Sequence, residues 1–258
     1  MSRVIVAALA AAILGVAQAA FAADMPMKAP VDSAPTWSGF YLGLNGGGAF
    51  GTTDVTHTGL TTTAGVPAGV FNLDHQISGW LAGATLGYNW QMTNWVVGAE
   101  LDFDGANIHG TGRIDGASVT LRDGAGGVVG NFVTATDKIT AFGTARLRAG
   151  ALMMPSTLLF ATGGLAIGHV QYSGQLHFAA APVDYIGSDS ATRLGWTLGA
   201  GLEHRYGSNL SVKAEYLYYD LGKHTLVTTQ NGIAGFSSQF DDTIHGSLVR
   251  VGANWKLN

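Results

Sequence analysis

The spacing of its alternating segments constrains this chain more than any motif does. Eight stretches of two-residue alternation are joined by seven connections that are long and short in turn. The long ones span about 51–75, 105–135, 173–191 and 220–241. The short ones, at 91–94, 153–156 and 206–209, take about four residues each. An even number of antiparallel strands, with short turns at one rim and long loops at the other, is the plan of an outer-membrane barrel. A soluble sandwich has no reason to keep its long loops at one end.

The start of the chain fits export. Arg3 supplies a positive n-region, residues 4–16 an apolar core, and Ala20-Phe21-Ala22 a small-x-small cleavage site. Residues 1–22 are therefore expected to be a signal peptide, with the mature chain beginning at Ala23. Residues 23–36 carry Pro26, Pro30 and Pro35 without periodicity and read as an extended periplasmic segment. Residues 37–258 form one expected domain. It contains no run of some twenty apolar residues, so no spanning helix is expected. Only 12% of the chain is charged, about half the usual share. Apolar surface without helical spans suits strands that alternate between lipid and lumen. With no Cys, disulfides are excluded; a closed hydrogen-bond ladder in lipid would supply stability instead.

Sorting the strands by parity separates two environments, because successive side chains face opposite sides. In 95–104, Trp95, Val97, Ala99, Leu101 and Phe103 oppose Val96, Gly98, Glu100, Asp102 and Asp104. In 193–205, Leu194, Trp196, Leu198, Ala200 and Leu202 oppose Arg193, Gly195, Thr197, Gly199, Gly201, Glu203 and Arg205. The last strand sets Val249, Val251, Ala253, Trp255 and Leu257 against Arg250, Gly252, Asn254 and Lys256. The polar phase is rich in Gly, as a narrow bore requires. It holds Glu100, Asp102, Arg146, Arg148, Glu203, Arg205, Lys213, Glu215 and Arg250, of both signs and in neighbouring strands. Inside a barrel these are expected to form a paired network, since buried unpaired charge is too costly. Glu100 and Asp102 are expected to pair with Arg146 and Arg148. Trp80, Trp90, Trp95, Phe103, Tyr216, Tyr218 and Trp255 fall near strand ends, as two interfacial aromatic girdles would.

Several segments then carry a resemblance. Trp37-Ser38-Gly39-Phe40-Tyr41-Leu42-Gly43-Leu44-Asn45-Gly46-Gly47 resembles the first strand of the small outer-membrane β-barrel proteins of alphaproteobacteria. These are the immunogenic surface antigens of brucellae and the RopB-type proteins of rhizobia. Residues 144–150 with 161–166 are similar to that family's central hairpin; 195–203 and 212–218 are similar to its sixth and seventh strands, and 249–256 to its closing strand. The resemblance implies an eight-stranded antiparallel up-and-down barrel in the outer membrane. It also implies a C-terminal insertion signal, carried here by Arg250, Gly252, Trp255 and Leu257 and read by the barrel-assembly machinery. Such barrels usually end on an aromatic residue; here Leu257 holds that place and Asn258 follows.

Catalysis would need a nucleophile, a His and a carboxylate converging at one rim. His245 and Ser247 share a face, but it is the lipid face. The loop histidines His57, His75, His109, His177 and His224 lack metal-ligand spacing. No cofactor, metal or nucleic-acid partner is expected. The preferred reading is a structural or surface protein in contact with outer-membrane lipid and lipopolysaccharide, with host or surface ligands reached through the loops. The alternatives are a small or gated porin-like channel and a lipid A-modifying enzyme. The long connections carry Asp54, Asp74, Asp115, Asp123, Asp137, Asp184, Asp189, Asp220, Asp241 and Asp242 against Arg113, Arg122 and Lys223. That predicts an acidic exterior.

Overall fold

The computed structural model describes residues 36–61, 71–115, 132–178, 183–230 and 237–257. The expected signal peptide and all but the last residue of the proline-bearing segment lie outside the described residues, as do Arg122, Asp123 and Asn258. The compact unit that holds the strands runs Thr36–Asn258.

Among the described residues nine strands follow in order: β1 (Gly39–Thr61), β2 (Phe71–Asn72), β3 (His75–Met92), β4 (Trp95–Asp115), β5 (Phe132–Met154), β6 (Thr157–Phe178), β7 (Val183–Tyr206), β8 (Leu210–Gln230) and β9 (Ser237–Lys256). β2 is a two-residue return on β1. The eight long strands pair antiparallel with their sequence neighbours, and β9 pairs back onto β1 from Tyr41↔Lys256 to Thr61↔Ser237. An even count lets the last strand meet the first antiparallel, so the ring of long strands closes around the membrane-spanning part.

The short connections are where the alternation places them. Thr93 and Asn94 join β3 to β4, Pro155 and Ser156 join β5 to β6, and residues 207–209 join β7 to β8. Thr93 and Gly207 take the left-handed backbone that tight hairpins need. The long connections differ from expectation. Residues 105–115, 132–135, 173–178, 183–191, 220–230 and 237–241 continue the ladder instead of forming loops. The lipid-and-lumen alternation fades there because the strands have left the hydrocarbon, although the hydrogen bonding has not stopped. Bulges also change the phase: Thr140 is an extra residue on β5 between Ile139↔Val170 and Ala141↔His169. A second shift, between Asp220 and Lys223 of β8, does the same.

Between the belts the outward phase is apolar and exposed: Leu44, Leu101, Leu147, Leu165, Leu198 and Val251 all point away from the bore. Phe40, Tyr88, Trp90, Trp95, Tyr206 and Trp255 ring the short-turn end; Phe50, Trp80, Phe103, Trp196, Tyr216 and Tyr218 ring the other. Phe40 and Tyr88 meet edge-on, with centroids 4.7 Å apart. All seven girdle residues named from sequence face outward, Tyr218 half-buried and the other six exposed. A water-soluble barrel would not expose such a band.

Candidate functional site

Among the described residues, charged and polar side chains gather in the bore. It is filled in layers. At the short-turn end Trp37 packs with Val96, Leu158 and Phe160. Its indole donates to Pro155 O at 3.2 Å, and its backbone N donates to Gln91 Oε1 at 2.8 Å.

Above this lid lies the charge network. Arg146 Nη2 lies 3.0 Å from Glu100 Oε2 and 2.8 Å from Asp102 Oδ2, and its Nη1 lies 3.0 Å from Glu215 Oε2. Arg148 spans Glu100 at 3.0 Å and Glu203 at 2.6 Å, with its guanidinium 4.2 Å from the centre of the Phe160 ring. Lys213 reaches Glu100 at 2.8 Å and Glu215 at 3.4 Å. Arg250 reaches Asp102, Asp104 and Glu215 at 2.8, 3.1 and 2.5 Å. Five carboxylates from β4, β7 and β8 thus meet four cations from β5, β8 and β9. Their side chains are essentially inaccessible to solvent.

Neutral donors complete the shell. Tyr41 OH donates to Glu100 at 2.7 Å, Thr85 and Thr144 to Asp102 at 2.7 and 2.5 Å, and Ser211 and Asn254 to Glu203 at 2.5 and 2.9 Å. Buried charge is tolerable only when paired and hydrogen-bonded in this way. Room is made by glycine. A Cβ on Gly164 would come within 2.8 Å of the Arg146 Cα, and one on Gly47 within 2.6 Å of the Arg250 Cα.

Glu100 pairs with both Arg146 and Arg148, and Asp102 with Arg146, as the sequence leads one to expect; the network extends further. Arg148 turns to Glu100 and Glu203, while Asp102 is shared by Arg146 and Arg250. Arg205 stands outside the network: it sits at the short-turn rim, donates to Pro155 O at 3.3 Å and lies 5.0 Å from the Trp37 ring. The reason is its place on β7, one residue before the strand ends at Tyr206 and already past the layer of acids. Asp104 and Tyr41, absent from the expected network, belong to it. Both share the inward phase with residues that the sequence does assign to it, so parity could have found them.

Beyond the charges the bore turns apolar. Ile77, Leu81, Ile108, Ile139, Phe142, Leu217, Tyr219, Leu221, Ile244 and Leu248 form one buried cluster. Beyond that again, outside the membrane-spanning band, is a second polar cluster. His75 Nε2 lies 3.0 Å from Asp137 Oδ2, and Arg193 Nη1 lies 2.6 Å from Asp242 Oδ2 and donates to Tyr172 OH at 2.9 Å. Burial alone would push the His75 imidazole down, but Asp137, the Leu73 carbonyl and Asp74 together hold it above its ordinary value. Burial pushes the Asp242 carboxyl up to about 6, with Arg193 opposing. Asp137 and Asp242 are therefore buried partners and not part of an acidic exterior.

His245 and Ser247 point away from the bore, His245 partly exposed and Ser247 buried. Ser247 Oγ hydrogen-bonds Tyr216 OH at 2.7 Å, and His245 faces Asp54 at 3.8 Å. Of the C-terminal residues, Arg250 is buried in the bore and Gly252 shares its phase, whereas Trp255 and Leu257 are exposed on the outer face.

A closed ring of eight antiparallel strands, with an apolar outer band between aromatic belts and a filled bore, is an integral outer-membrane β-barrel. The chain belongs to the outer membrane protein beta-barrel domain family, which matches residues 7–256. It is 36% identical over 265 residues to the 31 kDa outer-membrane immunogenic protein of Brucella melitensis, covering all of both chains. It is 32% identical to the 22 kDa outer membrane protein of Rhizobium leguminosarum bv. viciae, over 75% of this chain and 68% of that one. Among solved structures, the outer membrane protein OprG from Pseudomonas aeruginosa aligns with a TM-score of 0.46 at 11% identity, over 86% of this chain and 97% of that one.

Proposed function

We propose that this protein is a structural and surface component of the outer membrane, without catalysis and without an open diffusion pore. The observation that carries this reading is the bore: a lid around Trp37, the shared carboxylates of Glu100 and Glu215, and the apolar cluster above them occupy it in successive buried layers. Eight strands leave an interior that side chains can about fill, and mutual pairing ties these side chains together. The ladder extending beyond the membrane presents a tall, hydrogen-bonded platform suited to surface contact and to lipopolysaccharide. The relatives named as immunogenic outer-membrane proteins support a surface-exposed role. Export through a cleaved signal peptide at 1–22 and insertion through the C-terminal strand by the barrel-assembly machinery complete the reading.

Deletion of the gene tests it. The deleted strain should become permeable to a bulky apolar dye and sensitive to detergent, and a plasmid copy should restore both. Uptake of a small sugar should not change. Slower sugar uptake with an intact permeability barrier would favour the porin-like alternative.

A further inference from the structure

One stretch of the wall lacks a ladder. β7 and β8 pair from Tyr206↔Leu210 up to Trp196↔Asp220, and then again only at Ile186↔Thr229 and Tyr185↔Gln230. Between these, residues 187–195 and 221–228 have no ladder partner across the seam. The other edges are paired, β7 to β6 from Gly187↔Gly174 to Gly195↔Ala166, and β8 to β9 from Lys223↔Thr243 to Thr228↔Ser238, with Leu221 and Gly222 in the bulge. The seam is thus an unladdered stretch with paired backbone on both sides of it, directly beyond the outer aromatic belt at Trp196 and Tyr218.

Side chains bridge it where the backbone does not. Arg193 Nε donates to Leu221 O at 3.0 Å, and its Nη2 donates to Gly222 O. The same guanidinium reaches across to Asp242 of β9 at 2.6 Å and to Tyr172 of β6 at 2.9 Å. His224 of β8 lies 3.3 Å from Asp189 of β7 and stacks on Tyr172 at 4.8 Å. Gly222, with φ at +66°, lets β8 bend away at the start of the gap. One buried arginine therefore takes the place of several backbone hydrogen bonds, which no other pair of long neighbouring strands requires over such a length among the described residues.

We infer that the wall between β7 and β8 is a lateral window held shut by Arg193, which opens between the outer end of the bore and the surrounding surface when its contacts to Asp242, Leu221 and Gly222 are released. A ladder opens only with cooperative loss of many bonds, whereas a side-chain latch opens with the loss of one residue's contacts. The window sits at the level of the apolar cluster's upper edge, so its opening leaves the charge network and the membrane-spanning ladder intact.

The chain has no Cys, so paired labels are clean. Spin labels at Ser190→Cys and Thr225→Cys would report the window in the full chain refolded in lipid. Labels at Thr136→Cys and Ser173→Cys, partners across the continuous β5–β6 ladder, serve as the control. The expected result is one narrow distance in the parent, and a second, longer population with Arg193→Ala or Asp242→Asn, with the control pair unmoved. Hydrogen exchange of the parent should be roughly tenfold faster or more, as expected for unladdered amides, at amides of 187–195 and 221–228 that face the seam than at ladder-bonded amides of 166–174. A single narrow distance in both variants, equal protection on the two sides of β7, or equal loosening of the control pair would overturn the latch.

Discussion

Arg146 shows how a buried charge is made tolerable. It contacts three carboxylates, each of which is held by a second group, so removing it leaves Glu100, Asp102 and Glu215 short of one cation. Arg146→Ala should destabilise the barrel on the order of 3–5 kcal/mol, and Arg146→Lys by less, measured as urea midpoints in lipid. Equal midpoints for parent and Arg146→Ala would contradict the network. The outer cluster makes a second prediction, this time in pH. Asp242 has a folded-state pKa of about 6 against an ordinary 3.8, so the folded barrel binds that proton more readily and gains stability as pH falls through about 6. His75 is also raised; its contribution is full below its unfolded value and is lost as pH rises through its folded one. Both predict a higher urea midpoint at pH 5 than at pH 8, and Asp242→Asn should reduce the difference. At this scale the sequence was legible wherever parity held. Asp104 and Tyr41 could be placed by counting in twos, and so could Asp242, which shares the phase of Arg250 on β9. Asp137 could not, because the bulge at Thr140 reverses the phase of β5 above it and leaves no mark in the sequence.

Strands and turns obeyed the pattern at one rim and departed from it at the other. The three short turns are tight because the strands they join end at the same level, and their residues are turn formers such as Asn94, Pro155 and Gly207. The long connections hid further strand because polar residues on both faces, as at Ser188 to Ser190, remove the alternation without removing the ladder. The closing strand carries its own prediction. β9 docks on both β1 and β8, with Trp255 facing lipid opposite Leu42 and Leu210. Trp255→Ser should lower the folded fraction in isolated outer membranes, and Leu257→Phe should raise it or leave it unchanged. Normal insertion of Trp255→Ser would remove Trp255 from the insertion signal.

The described strands form a barrel whose wall faces lipid and whose bore faces itself. Closure of the sheet satisfies the backbone where no water is available, and the inward charges satisfy one another for the same reason. The ring was legible from the rhythm of long and short gaps. The layering of the bore was not: its upper apolar cluster draws on Ile77, Leu81 and Leu217, which lie on the inward phase and break the simple division into polar inside and apolar outside. A filled bore is the centre of this account, and ion conductance tests it most directly. Purified, refolded protein in a planar lipid bilayer should show no steady conductance of porin size, with at most rare, small openings as charge pairs break. A stable conductance that scales with inserted protein would contradict it.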